Sequence, residues 1–122
     1  MVQTDISQLS AETAEWRQIL RTYRDELQES KKLLQNTCGP HLTKQQLTDV
    51  EHFQNQFHIQ LINIHDVKQH IKSHERRIEM KEQLSEQSFA EHEMILDEFL
   101  TLQNTLQELR NEFKNYISAI SC

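Results

Sequence analysis

Glycine and proline are almost missing from this chain of 122 residues, which contains one of each, at Gly39 and Pro40. Sheet-rich domains need many tight turns, and these two residue types supply the backbone geometry of such turns. Their scarcity therefore excludes a turn-rich fold. Gln, Glu, Leu, Lys and Arg are plentiful, and these residues lose little conformational freedom in a helix. The composition predicts long helices joined by few turns.

Long hydrophobic runs are also missing, because no stretch approaches the roughly 20 apolar residues of a membrane span. The first residues carry neither the positive charge nor the apolar segment of a secretory signal. Two cysteines, Cys38 and Cys122, are too few for a disulfide framework. Together these features predict a cytoplasmic protein without a membrane partner.

Positive charge is in short supply, since 13 Lys and Arg residues stand against 19 Asp and Glu residues. Phosphate neutralisation by cationic side chains supplies most nucleic-acid affinity. We therefore expect no nucleic-acid partner. The acidic excess is concentrated in residues 84–122, which contain seven acidic and two basic side chains, a net charge of −5.

What the sequence does contain is a heptad pattern of core-type residues in three segments. A seven-residue spacing places side chains on one stripe of a helix, which packs against neighbouring helices. In the third segment, a second apolar line lies beside the first. The stripes are Ile6, Leu9, Thr13, Trp16, Leu20, Tyr23, Leu27, Ser30, Leu34 and Thr37; then Val50, Phe57, Ile64, Ile71 and Ile78; then His92, Phe99, Leu106, Phe113 and Ile120.

Local signals mark the ends of these segments. Gly39 and Pro40 end the first helix, because glycine adopts the left-handed cap conformation and proline cannot continue a helix. Thr43 with Gln46 forms a capping box that starts the second helix, and Ser88 fits the start of a third. The predicted helices, within a single helical domain at 1–122, span about 5–38, 44–83 and 89–120.

These features predict an all-α protein, an antiparallel up-down-up three-helix bundle with coiled-coil packing. The arrangement resembles the spectrin-type triple helix in shape. An alternative follows from the heptad phase, which continues from Ile78 through Ser85 to His92. In that alternative, the first helix folds back on one long continuous helix over 43–120, and the molecule dimerises.

Candidate metal chemistry is confined to the middle helix, which holds five of the seven histidines. His70 and His74 are one helical turn apart and Asp66 is one turn earlier, a spacing that presents three ligands along one face. The competing interpretation is an ordinary solvated face. A metal- or small-ligand-binding bundle that uses these residues with His65 is the alternative function. We expect no enzyme activity and no cofactor.

The leading interpretation is a non-enzymatic bundle that acts through protein–protein interaction or self-association. The apolar stripe of the third helix is wider than a three-helix core needs, and excess apolar surface commonly marks an interface. We expect a protein partner or a homodimer. The candidate contact residues are Ile95, Leu102, Leu109 and Tyr116.

Three long polar side chains stand beside the predicted stripes, namely Lys68, Gln103 and Arg110. Buried polar residues in coiled coils fix register or oligomeric state at a cost in stability. Long side chains at such positions also extend their polar ends to solvent. The sequence leaves both roles open.

Overall fold

The computed structural model describes residues 2–37, 42–80 and 84–120. They form three helices, α1 (Val2–Asn36), α2 (Lys44–Glu79) and α3 (Glu86–Ala119). The three helices pack against one another, so the predicted all-α three-helix bundle is confirmed. Within these described ranges, no helix combines the length and the apolar character needed to cross a membrane.

The core is built from the heptad stripes, with α2 between its two neighbours. All five residues of the α2 stripe are buried, and so are Phe53 and Val67 on one flank of that stripe. A helix that contacts two neighbours needs this broader buried face. The remaining apolar core residues among those described are Leu9, Trp16, Leu20, Tyr23, Leu27 and Leu34 of α1 and Ile95, Phe99, Leu102, Leu106, Leu109 and Phe113 of α3.

The direction of the helices follows from the ion pairs and ring contacts between them. Residues early in α1 pair with residues late in α2, and residues late in α2 pair with residues early in α3. Residues early in α1 therefore also lie beside residues early in α3, which gives the up-down-up topology. The pairs are Arg17–Glu75, His52–Glu112, His70–Glu98, His74–Glu91, Glu12–His92 and Glu26–Arg110.

The alternative of one continuous helix over 43–120 is wrong, because α2 ends at Glu79 and α3 begins at Glu86. The shared heptad phase of the two segments does not reflect a single helix. The antiparallel return buries both stripes within one chain, whereas a rod would leave its far half without a partner in the same chain.

Cap residues explain the observed helix starts. Thr43 accepts a hydrogen bond from the Gln46 backbone N–H, and the Gln46 side chain accepts one from the Thr43 backbone N–H, which confirms the predicted capping box. α3 begins three residues earlier than predicted, because Ser85 rather than Ser88 is the N-cap. Ser88 is buried and closes the same capping box from its third position.

The first helix begins at Val2 and ends at Asn36, close to the predicted range of 5–38. The predicted turn at Gly39-Pro40 lies outside the described residues, as do Cys38 and Cys122.

Candidate functional site

The apolar residues predicted as a contact surface on α3 lie mostly in the core. Ile95 and Leu102 are each 7% exposed and Leu109 is 5% exposed. Tyr116 is half-buried against the ring of Phe53, with the ring centroids 5.0 Å apart. The stripe is wide because α3 uses two adjacent heptad lines within the bundle. A contact surface on α3 therefore has to consist of other residues, on its outer sides.

The candidate metal ligands Asp66, His70 and His74 are not brought to one point. Asp66 lines a surface groove between α2 and α3, where His70 Nδ1 lies 2.5 Å from Glu98 Oε1. His74 instead enters the core, where it is 1% exposed. Among the residues that the structure describes, no group of three or more His, Cys, Asp or Glu side chains is arranged to hold a metal ion.

A chain of polar side chains crosses the core near the connection between α2 and α3. His92 Nε2 lies 2.8 Å from Glu12 Oε2 of α1, and His92 Nδ1 lies 2.9 Å from His74 Nε2 of α2. His74 Nδ1 in turn lies 2.6 Å from Glu91 Oε1 of α3. We call Glu12, His92, His74 and Glu91 the histidine network. It connects all three helices through hydrogen bonds.

The two imidazoles of the network are shielded from water, whereas its two carboxylates reach the surface. His92 is 6% exposed, and its ring centroid is 4.7 Å from that of Trp16. The side chains of Glu12 and Glu91 are 38% and 31% exposed. Arg77 Nε donates a 2.8 Å hydrogen bond to Glu91. Each buried ring is thus held between the other ring and a carboxylate in contact with solvent.

The environment sets the protonation of the network. Burial lowers the pKa of His74 below its ordinary value, although the hydrogen bond to Glu91 acts in the opposite direction. The hydrogen bond with His92 lowers the pKa of Glu12. Burial alone would raise the pKa of Glu91, but hydrogen bonds from His74 and Arg77 outweigh it and lower the pKa. Both carboxylates are therefore ionised near neutral pH, and His74 is neutral.

Sequence reasoning did not find this network, although part of the signal was present. His92 occupies a stripe position of α3, and His74 lies on the buried flank of the α2 stripe beside Val67. A polar residue at such a position needs a hydrogen-bond partner. Their pairing depends on where the connection between α2 and α3 falls, and that connection was predicted only approximately. Glu12 is 80 positions from His92, so only the packing of α1 beside α3 could identify it.

A second feature is the open side of the bundle between α1 and α3. α1 approaches α3 much less closely than it approaches α2. Two described ion pairs cross this side. Glu12–His92 lies near the start of both helices, and Glu26–Arg110 lies farther along, with 3.4 Å between Oε2 and the guanidinium nitrogen. Farther along, Leu33 and Ile117 line a cavity between the same two helices. We call this side the α1–α3 groove.

Large apolar side chains stand exposed along the two helices that border this groove. Leu33 is 49% exposed on α1, and Phe89 and Leu100 are 44% and 48% exposed on α3. Arg110 contacts α1, and Leu96 lies two heptads before Arg110. Leu96 is therefore on the side of α3 that faces α1. Phe89 is one heptad before Leu96, and Leu100 is one turn after it. The part of α3 that borders the groove is therefore apolar over much of its length.

The three polar side chains left open by the sequence have different surroundings. Arg110 reaches α1, where its guanidinium lies 5.5 Å from the centre of the Tyr23 ring and pairs with Glu26. Gln103 and Lys68 are half-buried at the edges of the core. Burial first, and then the nearby cations of α1, lower the pKa of Lys68.

Lys68→Gln is expected to stabilise the bundle. Lys68 lies among Arg17, Arg21, Arg24 and Lys72, and like-charge pairs between neighbouring side chains cost about 0.2–0.5 kcal/mol each. We expect the free energy of unfolding, measured by urea denaturation at low salt, to rise by about 0.5 kcal/mol and the gain to shrink at high salt. An equal gain from Lys31→Gln, at an exposed position of α1, would contradict this explanation.

Comparison of the chain with protein-family models, with curated proteins and with solved structures found no match. The histidine network and the α1–α3 groove are therefore the observations from which its function has to be inferred.

Proposed function

We propose that this chain is a non-enzymatic helical-bundle protein that acts by protein–protein contact, with a second copy of itself as its partner. The observation that carries the proposal is the α1–α3 groove with its exposed apolar border. Exposed apolar side chains rimmed by charge favour burial against another surface. The groove side of the bundle is open, so further helices can pack there as a second layer.

The dimensions of the groove are adequate for a stable dimer. Helices of this length extend about 50 Å at 1.5 Å per residue. A face two helices wide then offers an area of about 800 Å² per copy, which is the size of a standard interface. A homodimer through this face would bury Leu33, Phe89 and Leu100. In the single chain, contact of these apolar side chains with water is unfavourable in free energy.

The charges of the two walls indicate how two copies would meet. The α1 wall carries Glu26 and Glu29, and the facing part of the α3 wall carries Arg110 and Lys114. A two-fold axis parallel to the helices places α1 of one copy against α3 of the other. Acidic and basic walls then meet at the same level, whereas a perpendicular axis would place α1 against α1 and would not pair them. Coiled-coil packing between the copies is part of this proposal.

A non-enzymatic role is supported by the state of the buried histidines. All four ring nitrogens of His74 and His92 face a hydrogen-bond partner within the protein. Neither ring therefore offers a nitrogen to a substrate, which a histidine acting as a general base requires. We propose the cytoplasm as the compartment, because the sequence has too few cysteines for a disulfide-stabilised fold.

Sedimentation velocity over a dilution series, from about 1 µM to 1 mM, tests the proposed dimer. The weight-average mass is expected to rise from one chain mass toward two. Leu33→Lys is expected to keep the mass at one chain across the series, because it places a further cation beside Arg110 and Lys114, which line the same cavity.

The matched control is Leu47→Lys. Leu47 is 47% exposed, nearly the same as Leu33, but it lies on α2, away from the groove. This variant should dimerise like the unmodified chain. A mass of one chain at every concentration would overturn the proposed dimer, and equal effects of the two substitutions would remove the groove as its interface.

A further inference from the structure

The histidine network contains a fixed number of hydrogen bonds, and each bond requires one proton. Three contacts, at 2.8, 2.9 and 2.6 Å, run from Glu12 to His92, from His92 to His74, and from His74 to Glu91. All three distances are within hydrogen-bonding range. Ionised carboxylates only accept, so the protons have to come from the ring nitrogens. Three bonds therefore require three protons on the two rings.

Two neutral imidazoles carry only two protons between them. If each ring donates to its carboxylate, His92 Nδ1 and His74 Nε2 are left facing each other with lone pairs only. Two unprotonated nitrogens at 2.9 Å repel each other, and both rings are buried. A neutral pair can therefore satisfy two of the three contacts, whereas one additional proton satisfies all three.

We propose that the histidine network is a binding site for a single proton, which the chain takes up on folding and which holds α1, α2 and α3 together at this end of the bundle. The proton completes the bond between His92 Nδ1 and His74 Nε2. The network binds this proton whether or not two copies associate through the α1–α3 groove.

The surrounding groups place the additional charge on His92. The ring of His74 is the more deeply buried of the two, and burial disfavours its charged form. His92 then donates both ring protons, one to Glu12 and one to His74, and His74 donates its Nδ1 proton to Glu91.

The charged groups from each helix balance this arrangement. α1 contributes Glu12, α2 contributes Arg77, and α3 contributes Glu91. With the additional proton, two carboxylates face two cations. Arg17 of α1 and Glu75 of α2 pair with each other beside the network, so they add no net charge.

Unfolding measured against pH tests this proposal. Unfolded histidines have a pKa near 6.5 and hold few protons above pH 7, whereas the native network holds one. Because the native state then binds more protons, stability falls as pH rises. The unfolding equilibrium constant should increase about sixfold between pH 7 and 8, and the slope should approach tenfold per pH unit above that range. His92→Gln should remove that slope.

His70→Gln is the matched control, since His70 also pairs with a carboxylate of α3 but its side chain is 55% exposed. This variant should keep the slope of the unmodified chain. An unchanged slope in His92→Gln, or an equal loss in His70→Gln, would overturn the proposal.

A second measurement uses the unmodified chain and does not depend on a variant that folds. Nitrogen chemical shifts of the histidine rings distinguish neutral tautomers from the charged form. At pH 7 we expect His74 as the neutral Nδ1–H tautomer and His92 as the charged form. Two neutral rings at this pH would overturn the proposal.

Discussion

Phe57→Ala is expected to lower the free energy of unfolding by about 3–5 kcal/mol, the range for truncating a buried phenylalanine. Phe57 is 1% exposed on the α2 stripe, and its ring stands edge-on to that of Phe113, with 5.0 Å between the centroids. The substitution leaves a cavity in the core. Long, regular helices cannot close such a cavity unless they shift along their whole length. Native domains are stable by only about 5–15 kcal/mol, so much of the total stability is lost.

The matched control for this substitution is Ile62→Ala on the same helix. Ile62 is 48% exposed on the outer face of α2, and surface substitutions usually change stability by less than about 0.5 kcal/mol. Urea denaturation followed by circular dichroism measures both variants. Similar losses at the two positions would contradict the assignment of Phe57 to the core.

His74→Leu is expected to have the second-largest effect, a loss of about 2–3 kcal/mol. The substitution removes the partner of His92 Nδ1, a buried atom for which the structure describes no other bond. It also removes the proton donated to Glu91, although Arg77 continues to bind that carboxylate. A buried polar group left unsatisfied costs about 1–3 kcal/mol, and the leucine side chain does not replace that interaction.

The double variant His74→Leu/His92→Leu should be more stable than His74→Leu alone. Replacing both partners of a buried hydrogen bond with apolar groups is nearly neutral, whereas replacing one is costly. Glu12 and Glu91 then keep their contact with water, since both are about one-third exposed. Leucine at position 92 would also lie against the Trp16 ring.

Urea denaturation at pH 7 measures this non-additivity through a double-mutant cycle. We expect the double variant to recover about 1–2 kcal/mol of the loss seen in His74→Leu. If the losses from the two single substitutions simply add, then the two rings are independent and the network does not act as a unit.

Acid is expected to destabilise the bundle through the same residues. The lowered pKa of His74 means that the unfolded chain binds more protons below about pH 6.5, so stability falls as pH decreases from there. The lowered pKa values of Glu12 and Glu91 add a further loss below about pH 4.5. Together with the proposed shared proton, this gives a stability maximum between the acidic and the alkaline losses.

The features that could be predicted from the sequence are those that depend on nearby residues. A heptad stripe is a property of one helix, so the buried positions of α2, from Val50 to Ile78, were identified correctly. The Thr43 capping box was also correct, because its partners are three residues apart. The start of α3 was misplaced, because Ser85 and Ser88 are both good cap residues, and the N-cap is Ser85.

The sequence by itself determined that the chain is all-helical, that three stripes are buried, and approximately where the helices end. These properties follow from backbone preference and helical periodicity, which act within a few turns. Only the tertiary structure decided which stripe residues face which neighbour. It buried the two apolar lines of α3 inside the bundle, left the α1–α3 groove open, and joined Glu12 to His92 across 80 positions. The physical reason is that burial and hydrogen bonding depend on distances between helices, which no single helix encodes.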